Sequence, residues 1–152
     1  MKKLNAAVIA GLTACSGGTV KAPTTIPIYY EDEPNDILAL ASRFVPEEPK
    51  FLIEGNMETT DLDYHMFPIH PGQIIDFEVD YAAGWDMEVQ VFCLIEGTAS
   101  NSLWGGYDSH GLGYMSGTVE MPAGATDCVM TIRHTQTPQP DETRYTFTVE
   151  TF

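Results

Sequence analysis

Strict alternation of apolar and polar residues is the feature that most restricts the fold of this chain. In the segment 74–81, apolar side chains occupy the odd positions and carboxylates occupy positions 76, 78 and 80. The C-terminal segment 145–150 alternates aromatic or aliphatic residues with threonine and glutamate in the same way. A period of two places one face of a β-strand on a core and the other face in water. Both segments are therefore predicted to be half-buried strands.

Further segments have the composition of strands and are separated by turn-forming proline, glycine and aspartate. These segments are 50–54, 64–69, 87–95, 114–121 and 128–134. Only residues 36–44 show a helical pattern, with Asp36 as its N-cap and Ile37, Leu40 and Ala41 on its inner face. About seven to eight short strands with one short helix predict an all-β fold, an antiparallel β-sandwich or jelly roll.

The charge of the chain argues against two kinds of partner. Seven basic and 22 acidic residues give the 152 residues a formal net charge of −15. Binding to nucleic-acid phosphates requires clustered lysine and arginine, so no nucleic-acid partner is expected. For the same reason the folded part is not expected to adsorb to anionic lipid. The hydrophobic fraction of 43% is sufficient for a packed core.

The N-terminus has the pattern of a secretory signal. Two lysines precede the apolar stretch 4–14, which is too short to span a bilayer. The stretch ends in Leu-Thr-Ala-Cys, which resembles the lipobox of bacterial lipoprotein signals. That resemblance implies cleavage before Cys15 and a membrane anchor of acyl chains such as palmitate on this cysteine. A plain signal peptide that happens to contain a cysteine is the alternative.

The same resemblance implies a location and a division of the chain. Ser16 rather than aspartate follows the cysteine, which implies the outer membrane of the bacterial cell envelope, facing the periplasm or the surface. Residues 1–14 are therefore assigned to a lipoprotein signal peptide. Residues 15–30 are assigned to the lipidated cysteine and a flexible tether, because Ser, Gly, Thr and Pro are frequent there. Residues 31–152 form the predicted domain.

Two cysteines remain in the predicted domain. Cys93 falls on the apolar face of the segment 87–95, and Cys128 falls on the apolar face of the segment 128–132. Inward cysteines on neighbouring strands of an exported domain can approach bonding distance. A Cys93–Cys128 disulfide is therefore predicted, and two buried thiols are the alternative.

An acidic segment lies where the predicted tether meets the domain. Residues 31–36 carry four carboxylates and one carboxamide, and Asp61 and Asp63 add two carboxylates at a strand start. Ca²⁺ binds about six to eight hard oxygen ligands, and grouped carboxylates are costly without a cation. The alternative is a solvated acidic loop. His65, two residues after Asp63, is expected to form a surface polar pair with it.

These motifs resemble the bacterial pre-peptidase C-terminal (PPC) domain family, to which the collagen-binding modules of clostridial collagenases are related. The matching elements are an acidic opening, a glycine, an Asp-x-Asp-aromatic motif and a second glycine, here residues 31–36, Gly55, 61–64 and Gly72. A Pro-Ala-Gly turn and a last strand that opens with tyrosine match residues 122–124 and 145–149. The resemblance covers residues 31–152 and implies a jelly-roll sandwich.

The resemblance also implies a metal. In family members that bind calcium, the acidic opening and the later aspartates are ligands. Carried to this chain, it implies structural Ca²⁺ held by Glu31, Glu33, Asn35, Asp36, Asp61 and Asp63.

Catalysis and the known roles of the family find little support. The sequence has no His-Glu-x-x-His motif and no nucleophile-elbow serine, so no enzyme is expected. PPC domains usually follow a secreted peptidase, and none precedes this domain in the sequence. The aromatic residues through which collagenase modules contact collagen cannot be placed here, so collagen binding is not implied.

Aromatic residues beside glycine are candidate contacts for a protein or carbohydrate ligand. They are Trp104 and Tyr107, in the segment 96–113, and Trp85. Alternatively, Trp104 and Tyr107 are strand residues that cover the sandwich, with residues 108–111 as a turn. The sequence thus predicts a non-enzymatic, lipid-anchored, calcium-stabilised binding or adhesion module. The alternative function is a structural or accessory lipoprotein subunit of an envelope protein complex.

Overall fold

The computed structural model describes residues 25–57, 61–135 and 143–152. The predicted signal peptide, Cys15 and most of the predicted tether lie outside the described residues. Within the described ranges, no helix has the length and hydropathy needed to cross a membrane.

The described residues form eleven strands and one 3-10 turn at Leu38–Leu40. The strands are β1 (Ile28–Tyr30), β2 (Ser42–Arg43), β3 (Lys50–Met57), β4 (Leu62–Pro68), β5 (Ile74–Tyr81), β6 (Met87–Ile95), β7 (Thr98–Ala99), β8 (Trp104–Asp108), β9 (Tyr114–Glu120), β10 (Ala125–His134) and β11 (Thr143–Thr151). Eight of them have five or more residues, which agrees with the predicted number of strands.

The strands form two sheets. Sheet A has the order β1-β3-β11-β5-β9, and sheet B has the order β2-β4-β10-β6-β7, with β8 also paired to β6. The β1–β3 and β2–β4 pairs are parallel, and the remaining pairs are antiparallel. The predicted all-β sandwich is confirmed.

The core lies between the two sheets and follows the alternation seen in the sequence. Along β5 every second residue is buried, including Phe77 and Val79, and β11 contributes Phe147. Sheet B faces them with buried residues such as Met87 and Ile132. Because burial of apolar area is the main favourable contribution to folding, these inward faces fix which strands can pair in which register.

The sandwich begins before the predicted domain boundary. Residues 28–30, assigned from the sequence to the tether, form β1 and pair with residues 52–54 of β3. The ring of Tyr29 packs against those of Phe44 and Phe51, with centroid distances of 5.4 and 5.8 Å. This packing holds β1 on the edge of sheet A.

The helix predicted over residues 36–44 is wrong. Only the single 3-10 turn forms. Of the three residues expected on its inner face, Ile37 and Leu40 are exposed and Ala41 is buried. The hydroxyl of Ser42 accepts a hydrogen bond from Asp32 N (2.9 Å), and Ser42 then pairs with β4 as part of β2. These contacts hold the chain in an extended conformation where a helix would have continued.

Cys93 and Cys128 lie directly opposite one another on β6 and β10, and both are buried. The predicted disulfide is absent, and both cysteines are free thiols. The thiolate is the form that reacts to give a disulfide, and burial disfavours that form for Cys128. Burial, together with the neighbouring Cys93, raises the pKa of the Cys128 thiol, so it packs as a small neutral hydrophobe.

Candidate metal centre

The acidic segment crosses from one sheet to the other at one end of the sandwich. Glu31 N donates to Glu54 O (3.1 Å), which continues the β1–β3 pairing by one residue. Tyr64 N donates to Asn35 O (3.3 Å), so the same segment then contacts β4 of sheet B. The side chains that follow β1 are therefore brought beside Asp61 and Asp63.

Glu33, Asp61 and Asp63 form a first group of ligands. One carboxylate oxygen from each lies within 4.8 Å of the others. The carboxamide of Asn35, which is fully buried, lies against this group. The group supplies only oxygen atoms, which are the ligands that Ca²⁺ prefers.

The Asn35 amide has two orientations with different chemistry. In one, Nδ2 lies 3.3 Å from Ser42 Oγ and donates to it, and Oδ1 faces carboxylate oxygens of Glu33 and Asp63. In the other, Nδ2 donates to Asp63 Oδ1 (2.9 Å) and Glu33 Oε2 (3.1 Å). The first orientation brings oxygens together, which requires either a cation or a proton on one of the carboxylates. The second satisfies the cluster without a cation.

Glu31, Asp63 and His65 form a second group, again within 4.8 Å of one another. The hydroxyl of Tyr145 lies among them: Oη is 2.7 Å from Asp63 Oδ2, 3.0 Å from Glu31 Oε2 and 2.6 Å from His65 Nε2. A hydroxyl has one proton, so Tyr145 donates to one of these partners at a time, and His65 Nε2 donates to the hydroxyl or accepts from it according to its tautomer. His65 Nδ1 has no partner among the described residues.

Asp63 is the member of both groups, and its ionisation is strongly perturbed. Burial, with added repulsion from Asp61, Glu31 and Glu33, raises the pKa of its carboxyl to about 9 despite the hydrogen bond from Tyr145. Without a cation, Asp63 is therefore protonated at neutral pH. Burial also lowers the pKa of His65 to about 3, so its ring is neutral and adds no positive charge to the cluster.

Five of the six predicted metal ligands come together here: Glu31, Glu33, Asn35, Asp61 and Asp63. Asp36 is exposed and belongs to neither carboxylate group. The expectation for His65 is wrong, since its side chain is completely buried. Its inward direction follows from the alternation of Asp63, His65 and Phe67 along β4, a signal present in the sequence.

Tyr145 was not identified as a site residue from the sequence. The alternation along β11 predicts that the Tyr145 side chain points inward. The residues that it contacts depend on how β11 pairs with its neighbouring strands. Gly55 of β3 lies directly opposite Tyr145. A Cβ atom at Gly55 would overlap the Tyr145 hydroxyl and contact Glu31 Oε2, so the absence of a side chain there makes room for both groups.

The three candidate ligand-contact residues differ in exposure. Trp85 is buried, with its ring 4.7 Å from that of His134, and Trp104 is partly buried against Phe77 at 4.9 Å. Tyr107, in contrast, is 55% exposed. Trp104 and Tyr107 both belong to β8, so the alternative that they are strand residues fits the structure, and Tyr107 alone of the three is available to a partner.

No protein-family model and no curated protein matches the sequence. Among solved structures, the pre-peptidase C-terminal domain of a collagenase from Bacillus anthracis has a TM-score of 0.53 and 16% identity, covering 79% of this chain and 100% of that one. PliG from Aeromonas hydrophila, a periplasmic lysozyme inhibitor of g-type lysozyme, has a TM-score of 0.48 and 12% identity, covering 84% and 100%. The first likeness shows that this chain has a PPC-like β-sandwich fold.

Proposed function

We propose that this chain is a non-catalytic, calcium-stabilised β-sandwich module, anchored by lipid at Cys15 to the bacterial outer membrane, that binds a protein or carbohydrate ligand. The observation that supports the metal is the convergence of Glu33, Asn35, Asp61 and Asp63 at one point. These residues belong to two separate parts of the chain, the segment after β1 and the start of β4.

The donor set fits calcium better than the other common divalent metals. Carboxylate and amide oxygens from an irregular segment give the tolerant geometry that Ca²⁺ accepts, whereas Mg²⁺ requires near-ideal octahedral geometry. Glu33 is exposed, so water can complete the coordination. His65 Nε2 is hydrogen bonded to Tyr145 and lies in the other group, which leaves an all-oxygen site.

The cation would supply positive charge to a cluster that otherwise depends on protons and on the turned Asn35 amide. It would also join the segment that leads from the predicted tether to the sandwich, because ligands come from both. We infer that calcium fixes the orientation of the sandwich relative to its membrane attachment.

The geometry supports a binding role over a catalytic one. His65, Asp63 and Tyr145 have the arrangement of a hydrogen-bonded triad, but all three are buried and held to one another. A catalytic group must come within hydrogen-bond reach of its substrate. These groups stabilise the end of the sandwich instead.

Calcium is expected to raise the unfolding temperature of the protein, and EGTA to reverse the rise. A ligand at about 100 times its Kd adds about 2.7 kcal/mol to the stability of a native state that alone binds it. For a protein of this size that is a rise of roughly 5–10 °C. Calorimetry in millimolar CaCl₂, MgCl₂ and EGTA measures it, with calcium giving the larger shift.

The matched variants are Asp61→Asn in the cluster and Asp76→Asn on the outer face of β5. The first is expected to lose most of the calcium shift, because it removes a ligand charge, and the second to retain it. Equal shifts in both variants would place the calcium elsewhere.

The anchor and the ligand can be tested in the same cells. Cys15→Ser removes the predicted lipidation site and is expected to move the protein from the membrane fraction to the soluble fraction, because the acyl chains provide the attachment. The soluble variant then serves as a probe on glycan arrays and purified envelope proteins. Binding that is lost in Tyr107→Ala but retained in Tyr30→Ala would support the ligand site. Membrane retention of Cys15→Ser would contradict the anchor.

A further inference from the structure

We propose that two copies of this chain pair through the free edge of β9, joining their A sheets across a two-fold axis. The proposal goes beyond the proposed function and requires neither calcium nor lipid. It rests on the backbone of one edge strand, on the residues of that strand and on the core beneath it.

Edge strands are a liability, because their unpaired backbone groups can add another strand, and natural proteins blunt them. The edge strands β1, β2 and β7 have only two or three residues, and β8 has five. β9 has seven residues and is the longest edge strand in the part of the chain that the structure describes. Its sequence contains no lysine, arginine or proline, and its register with β5 is unbroken by a bulge. Its one charged residue is Glu120, at the end of the strand.

Backbone hydrogen bonds at the two ends of β9 identify the side of the strand that has no hydrogen-bond partner. Tyr81 N donates to Gly113 O (3.0 Å), and Met121 N donates to Gln73 O (2.9 Å). Backbone groups alternate sides along a strand, so the odd-numbered residues of β9 bond to β5. The even-numbered residues direct N–H and C=O to the other side, where no described residue bonds to them: Tyr114, Ser116, Thr118 and Glu120.

The free edge is complementary to itself. Antiparallel pairing centred on Gly117 sets residue 116 opposite residue 118 of the second copy, and residue 114 opposite residue 120. In this register all four outward-directed residues pair with one another. Hydroxyl then faces hydroxyl and phenol faces carboxylate, with no like charges directly opposed.

The core is incompletely covered at the same edge. Trp104 and Met115 are partly buried residues that pack on the core from β8 and β9. The Trp104 ring lies so close to Gly117 that a Cβ there would meet it, so this ring lies directly beneath the edge strand. A strand added to β9 would extend the cover over Trp104 and Met115.

The charge of the chain opposes this pairing and provides a way to recognise it. Each copy has a formal net charge of −15, so the two copies repel. At physiological ionic strength the Debye length is about 8 Å, so added salt weakens the repulsion while the hydrogen bonds remain. Self-pairing should therefore strengthen as salt increases, whereas a basic partner on the same edge would be released by salt.

The test is sedimentation equilibrium of the full-length Cys15→Ser variant at low and physiological salt, in calcium and in EGTA. The expected result is a dimer at high micromolar concentration that is favoured by salt and formed under both metal conditions. Thr118→Pro removes an outward N–H and leaves the bonds to β5 intact, so it should halve the mass. Thr118→Val retains the N–H and should remain dimeric.

Two results would overturn the proposal. One is a monomer at physiological salt, and the other is a dimer that persists in a folded Thr118→Pro variant. If that variant fails to fold, Thr118→Lys replaces it, because a lysine on an edge strand prevents strand addition. A dimer that forms in Thr118→Lys as it does in Thr118→Val would overturn the proposal equally. Calcium binding is tested separately, through the unfolding temperature. Its outcome therefore does not decide whether the chain forms a dimer.

Discussion

Asp63→Asn is expected to abolish the calcium response and to flatten the pH dependence of stability in the calcium-free protein. The folded state holds this carboxyl with a pKa of about 9, against an ordinary value of about 3.9 in the unfolded chain. A group whose pKa is raised on folding stabilises the folded state. That stabilisation is complete at pH values below the unfolded pKa and is lost as the pH rises through the folded pKa. The calcium-free protein should therefore lose stability as pH rises, by up to about 1.4 kcal/mol per unit from this group.

Asparagine has no charge to bury, so the variant in EGTA should become more stable than the parent protein as pH rises. The parent protein in calcium should behave in the opposite way, because calcium binds the ionised carboxylate and its stabilisation grows with pH. The measurement is unfolding temperature from about pH 5 to pH 8 in EGTA and in CaCl₂. Asp76→Asn is the control and should retain the parent slope. An unchanged slope in Asp63→Asn would contradict the buried, protonated state of Asp63.

Gly55→Ala is expected to cost about 2–5 kcal/mol of stability, which combines overpacking with loss of a buried hydrogen bond. The added methyl group would overlap the hydroxyl of Tyr145, which is buried and cannot move without leaving His65 and Asp63. Chemical unfolding measures the loss. Gly105→Ala is a matched control, because its Cβ would meet only Ser102 Oγ at 3.7 Å. A Gly55→Ala protein within about 0.5 kcal/mol of the parent would contradict the close packing at this position.

The longest strands could be predicted from the sequence because a single strand contains the signal. The bounds of β5 and β6 agree with the predicted segments 74–81 and 87–95, since every odd-numbered residue in both is apolar. The short edge strands β1 and β2 could not be predicted, because two or three residues carry no period. They are strands only through their pairing with β3 and β4. The false helix over residues 36–44 has the same origin, since Ser42 is held by contacts that a local pattern does not contain.

The candidate site was predictable in its chemistry and not in its arrangement. The carboxylates could be named because calcium selects oxygen ligands, and they cluster in two short motifs. Tyr145 could not be added, because its approach to Asp63 depends on the register of β11 with β3 and on the distance between the two sheets. The predicted Cys93–Cys128 disulfide was also wrong in its three-dimensional detail. The two strands and their inward faces were right, but both cysteines are free, buried thiols, and burial disfavours the thiolate of Cys128.

The position of β11 has a consequence for how the protein is made. The last strand of the chain lies in the middle of sheet A, between β3 and β5, and it joins the two halves of that sheet. The sandwich cannot be completed until β11, which follows the other ten strands in the sequence, has been synthesised. Strand pairings between residues far apart in sequence also form slowly. Sheet A therefore stays open between β3 and β5 until β11 pairs with both, so the sandwich closes only after all the other strands have been made.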